Sequence, residues 1–135
     1  MPDPVIEWLG RDELPEELGP VIVRNDRDPL YGMSRSAFEA KLGSALAGRA
    51  VEAYFFGSYG TADFGPDSDV DLIIIARTNK SFIRRSFDYA DLLDILPSMD
   101  ILVYTPEEFA DLTGDPSPGF WRSVVESLRR LAIPD

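Results

Sequence analysis

The chain has 135 residues, which is enough for one domain with a hydrophobic core and too few for two. Hydrophobic residues make up 44% and charged residues 27%, as in ordinary globular proteins, and the formal net charge is −11. A strongly acidic protein repels a polyphosphate backbone, so we do not expect free DNA or RNA as its main partner, whereas a basic protein would be attracted.

Cysteine and histidine are both absent from the chain. Their absence excludes disulfides, thiolate metal sites, Ser-His-Asp triads and nearly every zinc site. A bound metal would be a hard cation held by oxygen atoms, with Mg²⁺, Mn²⁺ and Ca²⁺ as candidates. No apolar run is long enough to cross a bilayer, and the N-terminus lacks the features of a signal peptide. We therefore expect a cytoplasmic protein with no membrane partner.

Residues 1–30 are rich in proline, glycine and acidic residues, which predicts an irregular N-terminal extension with one short strand at 21–23. Regular structure is predicted from Ser36, because Ser36 and Glu39 have the spacing of a capping box. Gly48 should end this first helix in a left-handed conformation. The apolar positions on one face of the helix are Phe38, Leu42, Ala45 and Leu46.

Three short runs rich in β-forming residues follow, at 51–56, 70–75 and 101–104, and each predicts a strand. The second run is continuously apolar after Asp71, which is typical of a central strand covered on both faces. Between the second and third strands, apolar residues at helical spacing predict a helix over 82–96. Its apolar positions are Ile83, Phe87, Ala90, Leu93 and Leu96.

Thr105 and Pro106 predict the start of another helix, with threonine as the N-cap and proline at the first helical position. A last helix is predicted to place four apolar residues on one face. These residues are Trp121, Val124, Leu128 and Leu131. Helix and strand alternate three times, so we expect an α+β fold in a single domain spanning 1–135, with a small sheet covered by helices.

Asp69 and Asp71 lie two residues apart where the second strand begins. Because side chains alternate across a strand, both carboxylates point to one face, with their Cα atoms about 6.5–7 Å apart. At an effective dielectric constant of about 20, two like charges at that distance repel by about 2.4 kcal/mol. A divalent cation between them reverses the sign of the interaction. Asp100 precedes the third strand and reaches the same place if that strand lies beside the second.

Each of these residues also has a purely structural interpretation. An Asp-x-Asp sequence at the start of a strand often marks a solvated turn, and Asp100 alone resembles a turn residue. Gly57 and Ser58 end the first strand and on their own indicate only a turn. A glycine also lets the backbone approach a bulky anion, however, and the Ser58 hydroxyl and following N–H groups can donate to phosphate oxygens. The combination of these features in order favours a nucleotide and metal site.

The stretch Gly57–Leu72, GSYGTADFGPDSDVDL, resembles the motif of the DNA polymerase β-type nucleotidyltransferase superfamily. It is most similar to the minimal nucleotidyltransferases (MNT proteins), which are antitoxin partners of HEPN-domain toxins. The resemblance covers residues 36–104, and the first thirty residues match no pattern. It implies a polymerase β-like palm with a small mixed sheet and an αβαβαβ core.

Carried over by position, the resemblance implies a role for each motif residue. Ser58, with the turn at Gly57, would hold the β- and γ-phosphates of the nucleotide. Asp69 and Asp71 would bind two Mg²⁺ ions, with Mn²⁺ as an alternative. Asp100 would be the third carboxylate, binding the catalytic metal and helping to deprotonate the attacking hydroxyl.

The motif departs from the family in one respect. Family members often carry Ala-Arg-Gly where this chain has Gly-Thr-Ala at 60–62, so the arginine is missing. Thr61 would contribute a hydrogen bond to the nucleotide but no charge. Four basic residues just beyond the second strand are alternative sources of charge, although a solvated helix start is the favoured interpretation for most of them. They are Arg77, Lys80, Arg84 and Arg85.

The implied reaction is attack of a hydroxyl on the α-phosphorus of an NTP, with ATP expected by family analogy and pyrophosphate as leaving group. The acceptor would be a tyrosine or serine hydroxyl of a HEPN toxin. Transfer to a small hydroxyl compound such as an aminoglycoside is a second possibility. A third is a non-catalytic binding protein that neutralises a partner by docking and retains the aspartates without turnover.

Overall fold

The computed structural model describes residues 28–116 and 118–135 of the chain. The predicted strand at 21–23 and most of the predicted extension lie outside these residues. Contacts divide the chain into two units, and every helix and strand described belongs to residues 33–64 and 68–135. In chain order these elements are helix α1 (Arg35–Leu46), strands β1 (Glu52–Phe56) and β2 (Val70–Ile75), helix α2 (Phe82–Arg85), a 3₁₀ segment (Ser86–Asp94), strand β3 (Met99–Tyr104), helices α3 (Pro106–Gly114) and α4 (Phe120–Ser127), and strand β4 (Arg129–Arg130).

The other unit contributes two short described stretches, 28–32 and 65–67. In the first, the Asp28 carboxylate accepts hydrogen bonds from the N–H groups of Leu30 and Gly32, which closes a turn. None of the helices in the described ranges is long and apolar enough to cross a membrane.

The four strands form one mixed sheet in the order β3-β2-β1-β4. β1 runs antiparallel to both β2 and β4, while β2 and β3 are parallel. The predicted α+β class and small mixed sheet are therefore confirmed. The prediction of a central second strand is also correct, because Leu72, Ile73 and Ile74 have no exposed surface.

Helices cover the sheet on both faces. On one face, the aromatic rings of Phe38 from α1, Phe55 from β1 and Tyr59 pack together, with centroids 4.5–6.2 Å apart. On the other face, a second cluster joins the sheet to α3 and α4. Its members are Phe56, Ile73, Ile75 and Val124, with Tyr54, Leu102, Tyr104, Phe109, Trp121 and Leu128 packed against them.

The N-cap of helix α1 lies two residues before the predicted one at Ser36. The N-cap is Ser34, whose hydroxyl accepts a hydrogen bond from the N–H of Ala37, so the box at Ser36 and Glu39 is wrong in its register. The buried face is correct, because Phe38, Leu42 and Leu46 are fully buried. Gly48 follows the end of the helix with φ of 77°, as predicted.

The predicted helix over 82–96 is wrong in type after its first turn, and of its five predicted apolar positions only Leu96 is buried. Helix α2 ends after one turn and a 3₁₀ segment follows, with a break at Tyr89 (φ −119°, ψ 16°). Ile83 in α2 and Phe87 in the 3₁₀ segment have 78% and 71% of their surfaces exposed, and Tyr89 and Leu92 are buried instead. A 3₁₀ segment places its side chains at a shorter period than an α-helix.

The last predicted helix is too long, since α4 ends at Ser127 and Leu128 is already extended (φ −60°, ψ 130°). The chain then pairs with β1 as β4, and the N–H of Leu131 donates to the carbonyl of Ala53 at 2.9 Å. These main-chain bonds satisfy the outer edge of β1, which a longer helix would leave unpaired.

Arg85 is the one buried charged residue in the described part of the chain, at 7% exposure. Its guanidinium donates to both carboxylate oxygens of Glu108 and to the carbonyls of Lys80 and Val103. Glu108 also completes the capping box of α3 with Thr105. Hydrogen bonds from Arg85 and from the N–H of Thr105 lower the pKa of Glu108 to about 2. This ion pair therefore ties α2 to the start of α3.

We expect Arg85→Met to lower the free energy of unfolding by about 2 kcal/mol at pH 7, because Glu108 and two carbonyls lose their donor. Since the pKa of Glu108 is depressed in the fold, this contribution should shrink as the pH falls from 4.5 to about 2. Urea unfolding followed by circular dichroism measures both effects. Arg77→Met, which removes an exposed ion pair to Glu107, is the control and should cost less than about 0.5 kcal/mol. Equal losses in the two variants would contradict the assignment.

Candidate active site

Asp71 and Asp100 lie side by side on neighbouring strands. β3 begins at Met99, one residue earlier than Asp100, so Asp100 lies inside the strand and not before it. The parallel register of β2 and β3 places the Cα of Asp71 opposite that of Asp100. Opposed residues on paired strands point to the same face of a sheet, so the structure brings these two carboxyl groups together.

Asp69 precedes β2 in an exposed position, and its charge acts on the same group. Burial, followed by the charges of Asp100 and Asp69 and a hydrogen bond with Asp100, raises the pKa of Asp71 to about 6. In the described ranges, no lysine or arginine forms an ion pair with any of the three carboxylates. The result is a concentration of negative charge that no basic side chain in the described ranges compensates with an ion pair.

Within 28–116 and 118–135, no three acidic side chains form a ready coordination shell for a metal ion. Carboxylates that carry like charges repel one another in the absence of a cation, which opposes such convergence. The donor set fits a hard divalent cation, because every available ligand is a carboxylate oxygen and no nitrogen or sulfur ligand is near.

Gly57 brings the main chain against this cluster. Phe56 pairs with Asp71 across β1 and β2, and Gly57 follows with φ of 74°. A Cβ atom on Gly57 would lie 2.7 Å from Oδ2 of Asp71, so a larger residue would require the Asp71 side chain to move. Glycine is therefore favoured here for two reasons, its positive φ and the close approach to the carboxylate.

The turn after Gly57 leaves one side chain available for a ligand. Both the N–H and the hydroxyl of Thr61 donate to the carbonyl of Ser58, at 2.9 and 2.7 Å, and the Thr61 hydroxyl accepts from the N–H of Asp63. Thr61 thus closes the turn, whereas a nucleotide contact by Thr61 stays a prediction. The Ser58 hydroxyl has no hydrogen-bond partner in the part of the chain that the structure describes.

Two residues near the C-terminus hold this turn, and the sequence contained no signal for either. Ser127 Oγ accepts a hydrogen bond from the N–H of Gly57 at 3.0 Å. Arg129 donates through Nη2 to the carbonyl of Gly57 at 2.9 Å and to the carbonyl of Tyr59. Arg129 reaches these carbonyls because β4 pairs with β1, and the predicted continuous helix does not include that pairing.

Three of the four basic residues proposed as sources of phosphate charge are engaged elsewhere. Arg85 binds Glu108, Lys80 binds Asp88 at 2.6 Å, and Arg77 lies 3.5 Å from Glu107. These pairs agree with the structural interpretation given to most of them. The fourth, Arg84, is exposed and forms no ion pair within the described residues.

The family model described as "Polymerase beta, Nucleotidyltransferase" matches residues 45–126. This chain belongs to the polymerase β-type nucleotidyltransferase family. The match runs from the end of α1 to the end of α4 and includes Gly57, Ser58 and the three aspartates. No curated protein and no solved structure matches the chain significantly. A domain of this family transfers a nucleotide from an NTP, and such domains generally use divalent metals such as Mg²⁺.

We expect Asp71→Asn to stabilise the metal-free protein by about 2 kcal/mol at pH 8. The pKa of Asp71 is raised from 3.8 to about 6, so ionisation of this group is less favourable in the folded protein than in the unfolded chain. The free energy of unfolding of the unmodified protein should therefore fall as the pH rises from 3.8 to about 6. Below pH 3.8 the advantage of the variant should disappear. Urea unfolding in a chelator at pH 8 and pH 3.5 measures the difference. The control is Asp111→Asn, at an exposed position on α3. An effect of Asp71→Asn that does not change with pH would show that ionisation of Asp71 is not its cause.

We expect Gly57→Ala to lose more stability than Gly48→Ala, by about 1 kcal/mol or more. The two glycines have nearly equal φ, 74° and 77°, so the backbone strain of an added Cβ is matched. Only at Gly57 does the Cβ meet Asp71, since nothing lies within 4 Å at Gly48. Chemical unfolding of both variants gives the comparison, and equal losses would show that Asp71 yields to the methyl group freely.

Proposed function

We propose that the chain transfers an NMP group, AMP from ATP, to a hydroxyl of a partner protein in the manner of a minimal nucleotidyltransferase. The observation that carries this proposal is the cluster of Asp69, Asp71 and Asp100 beside the Gly57 turn, with no basic group compensating its charge in the described residues. A protein does not gain stability from such a cluster, so a ligand that reverses the repulsion explains it best.

In this proposal Asp69, Asp71 and Asp100 hold two Mg²⁺ ions. When bound, the cations would orient the attacking and leaving oxygens and neutralise the charge that develops on the phosphates. The Ser58 hydroxyl donates to a phosphate oxygen from the turn that Ser127 and Arg129 hold. Asp100 lies inside the edge strand β3, exposed, and accepts the proton of the acceptor hydroxyl.

A protein acceptor suits the size and charge of the chain. The described elements form one sheet with its covering helices, which leaves no separate domain in that part of the chain to hold a small acceptor. The net charge of −11 favours a basic partner over a nucleic acid. A tyrosine or serine of a HEPN toxin, whose activity the modification would block, is the acceptor we propose, and the chain would then be an antitoxin acting in the cytoplasm.

Two observations favour a second candidate, a non-catalytic antitoxin that binds its partner without turnover. The three carboxylates do not converge into a ready coordination shell in the described residues, and threonine replaces the arginine expected at position 61. In that case the aspartates would be dispensable for neutralising the partner.

Incubation with labelled ATP, Mg²⁺ and the product of the adjacent gene separates the two candidates. We expect label on the partner protein, and its loss by at least a hundredfold in Asp69→Asn/Asp71→Asn, because two cation ligands are removed. The double variant Asp111→Asn/Asp115→Asn, which removes two exposed charges outside the site, should label normally. Absence of transfer by the unmodified protein, with tight partner binding that survives Asp69→Asn/Asp71→Asn, would establish the non-catalytic candidate instead.

A further inference from the structure

Two arginine side chains from distant parts of the chain lie against the turn at Gly60. Arg129 Nε and Arg35 Nη2 would be 3.2 and 3.3 Å from a Cβ atom built on Gly60. Gly60 itself has φ of 85°, so it is favoured as glycine for its backbone as well as for this contact. The turn that carries Ser58 is thus bordered by two positive charges that the motif itself does not contain.

The guanidinium groups of Arg129 and Arg35 differ in their hydrogen bonds and in their exposure to solvent. Arg129 is half-buried, and its Nη2 is engaged with the carbonyls of Gly57 and Tyr59. Its Nε is buried and has no hydrogen-bond acceptor in the described residues. Arg35 lies in the first turn of α1 and has 60% of its side chain exposed. Arg129 therefore positions the turn, while Arg35 presents a charge to solvent next to it.

Contacts on one side hold Arg35 in this position. Its guanidinium lies 5.2 Å from the ring centroid of Tyr59 and 3.4 Å from the Glu39 carboxylate. Tyr59 is buried and donates its hydroxyl to Glu39 at 2.7 Å, which fixes the carboxylate. The Arg35–Glu39 pair is an exposed i,i+4 pair, a class that contributes little stability, so the guanidinium is oriented but still able to bind a stronger anion.

Several other basic side chains of the described chain are paired with acids, as Arg49 is with Asp91 and Arg130 with Glu52. A nucleoside triphosphate is strongly anionic, so a protein of net charge −11 repels it on average. A guanidinium beside the turn offsets that repulsion where the phosphates would lie and binds phosphate oxygens through paired donors.

We infer that Arg35 is a nucleotide-binding residue that contacts the triphosphate of the NTP at the Gly57–Gly60 turn. This inference rests on the proposed function. It assigns to a residue of α1, outside the Gly57–Leu72 motif, a charge that the motif lacks.

Calorimetric titration with ATP–Mg²⁺ and with inorganic tripolyphosphate–Mg²⁺ tests the assignment. We expect Arg35→Gln to raise Kd for both ligands about tenfold, because a charge-assisted contact to phosphate is lost. Adenosine, which lacks phosphates, should show no change in affinity. The midpoint of thermal unfolding should change little, because the lost ion pair is exposed.

Glu39→Gln is the matched control, since it breaks the same ion pair but leaves the guanidinium in place. We expect its affinity for both phosphate ligands to be unchanged or higher. If Glu39→Gln weakens binding as much as Arg35→Gln, Arg35 acts only through local structure and the inference fails. If the unmodified protein binds ATP–Mg²⁺ and Arg35→Gln binds equally well, the inference also fails while the proposed function stands. Absence of ATP–Mg²⁺ binding by the unmodified protein would overturn both.

Discussion

Asp71 and Asp100 lie at the same register on neighbouring parallel strands, so their two carboxyl groups repel each other when both are ionised. The site depends on this repulsion. Partial burial of Asp71, followed by the charges of Asp100 and Asp69, raises the pKa of Asp71 to about 6. This unfavourable arrangement lies in a sheet whose central strand is buried from Leu72 to Ile75 and whose two faces are packed by helices. A stable framework of this kind can tolerate an unfavourable local charge arrangement.

The turn at Gly57 lies beside the carboxylates and is held by residues from the C-terminal part of the chain. Gly57 lies so close to the Asp71 carboxylate that a Cβ atom on it would be 2.7 Å from Oδ2. Ser127 and Arg129, about 70 residues away along the chain, bind its N–H and carbonyl groups. The short strand β4 makes this possible, since pairing with β1 turns the C-terminal segment back toward the turn.

Helix–strand order and the position of the acidic motif could be predicted because they rest on local patterns. The apolar run after Asp71, the proline and threonine that begin α3, and the glycine after α1 each encode their structure within a few residues. The buried face of 82–96 could not be predicted, because a 3₁₀ segment with a break at Tyr89 has a different period from the α-helix that the pattern suggested.

By itself, the sequence determined the α+β class, the strand that carries Asp71, and the family to which the spacing of the Gly-Ser turn and the Asp-x-Asp pair points. These depend on residue type and separation along the chain, which the sequence contains directly. Only the tertiary structure decided that Asp100 lies opposite Asp71, that Thr61 closes the turn, and that Ser127, Arg129 and Arg35 surround it. Those facts depend on strand register and on contacts between distant segments, which no local pattern specifies.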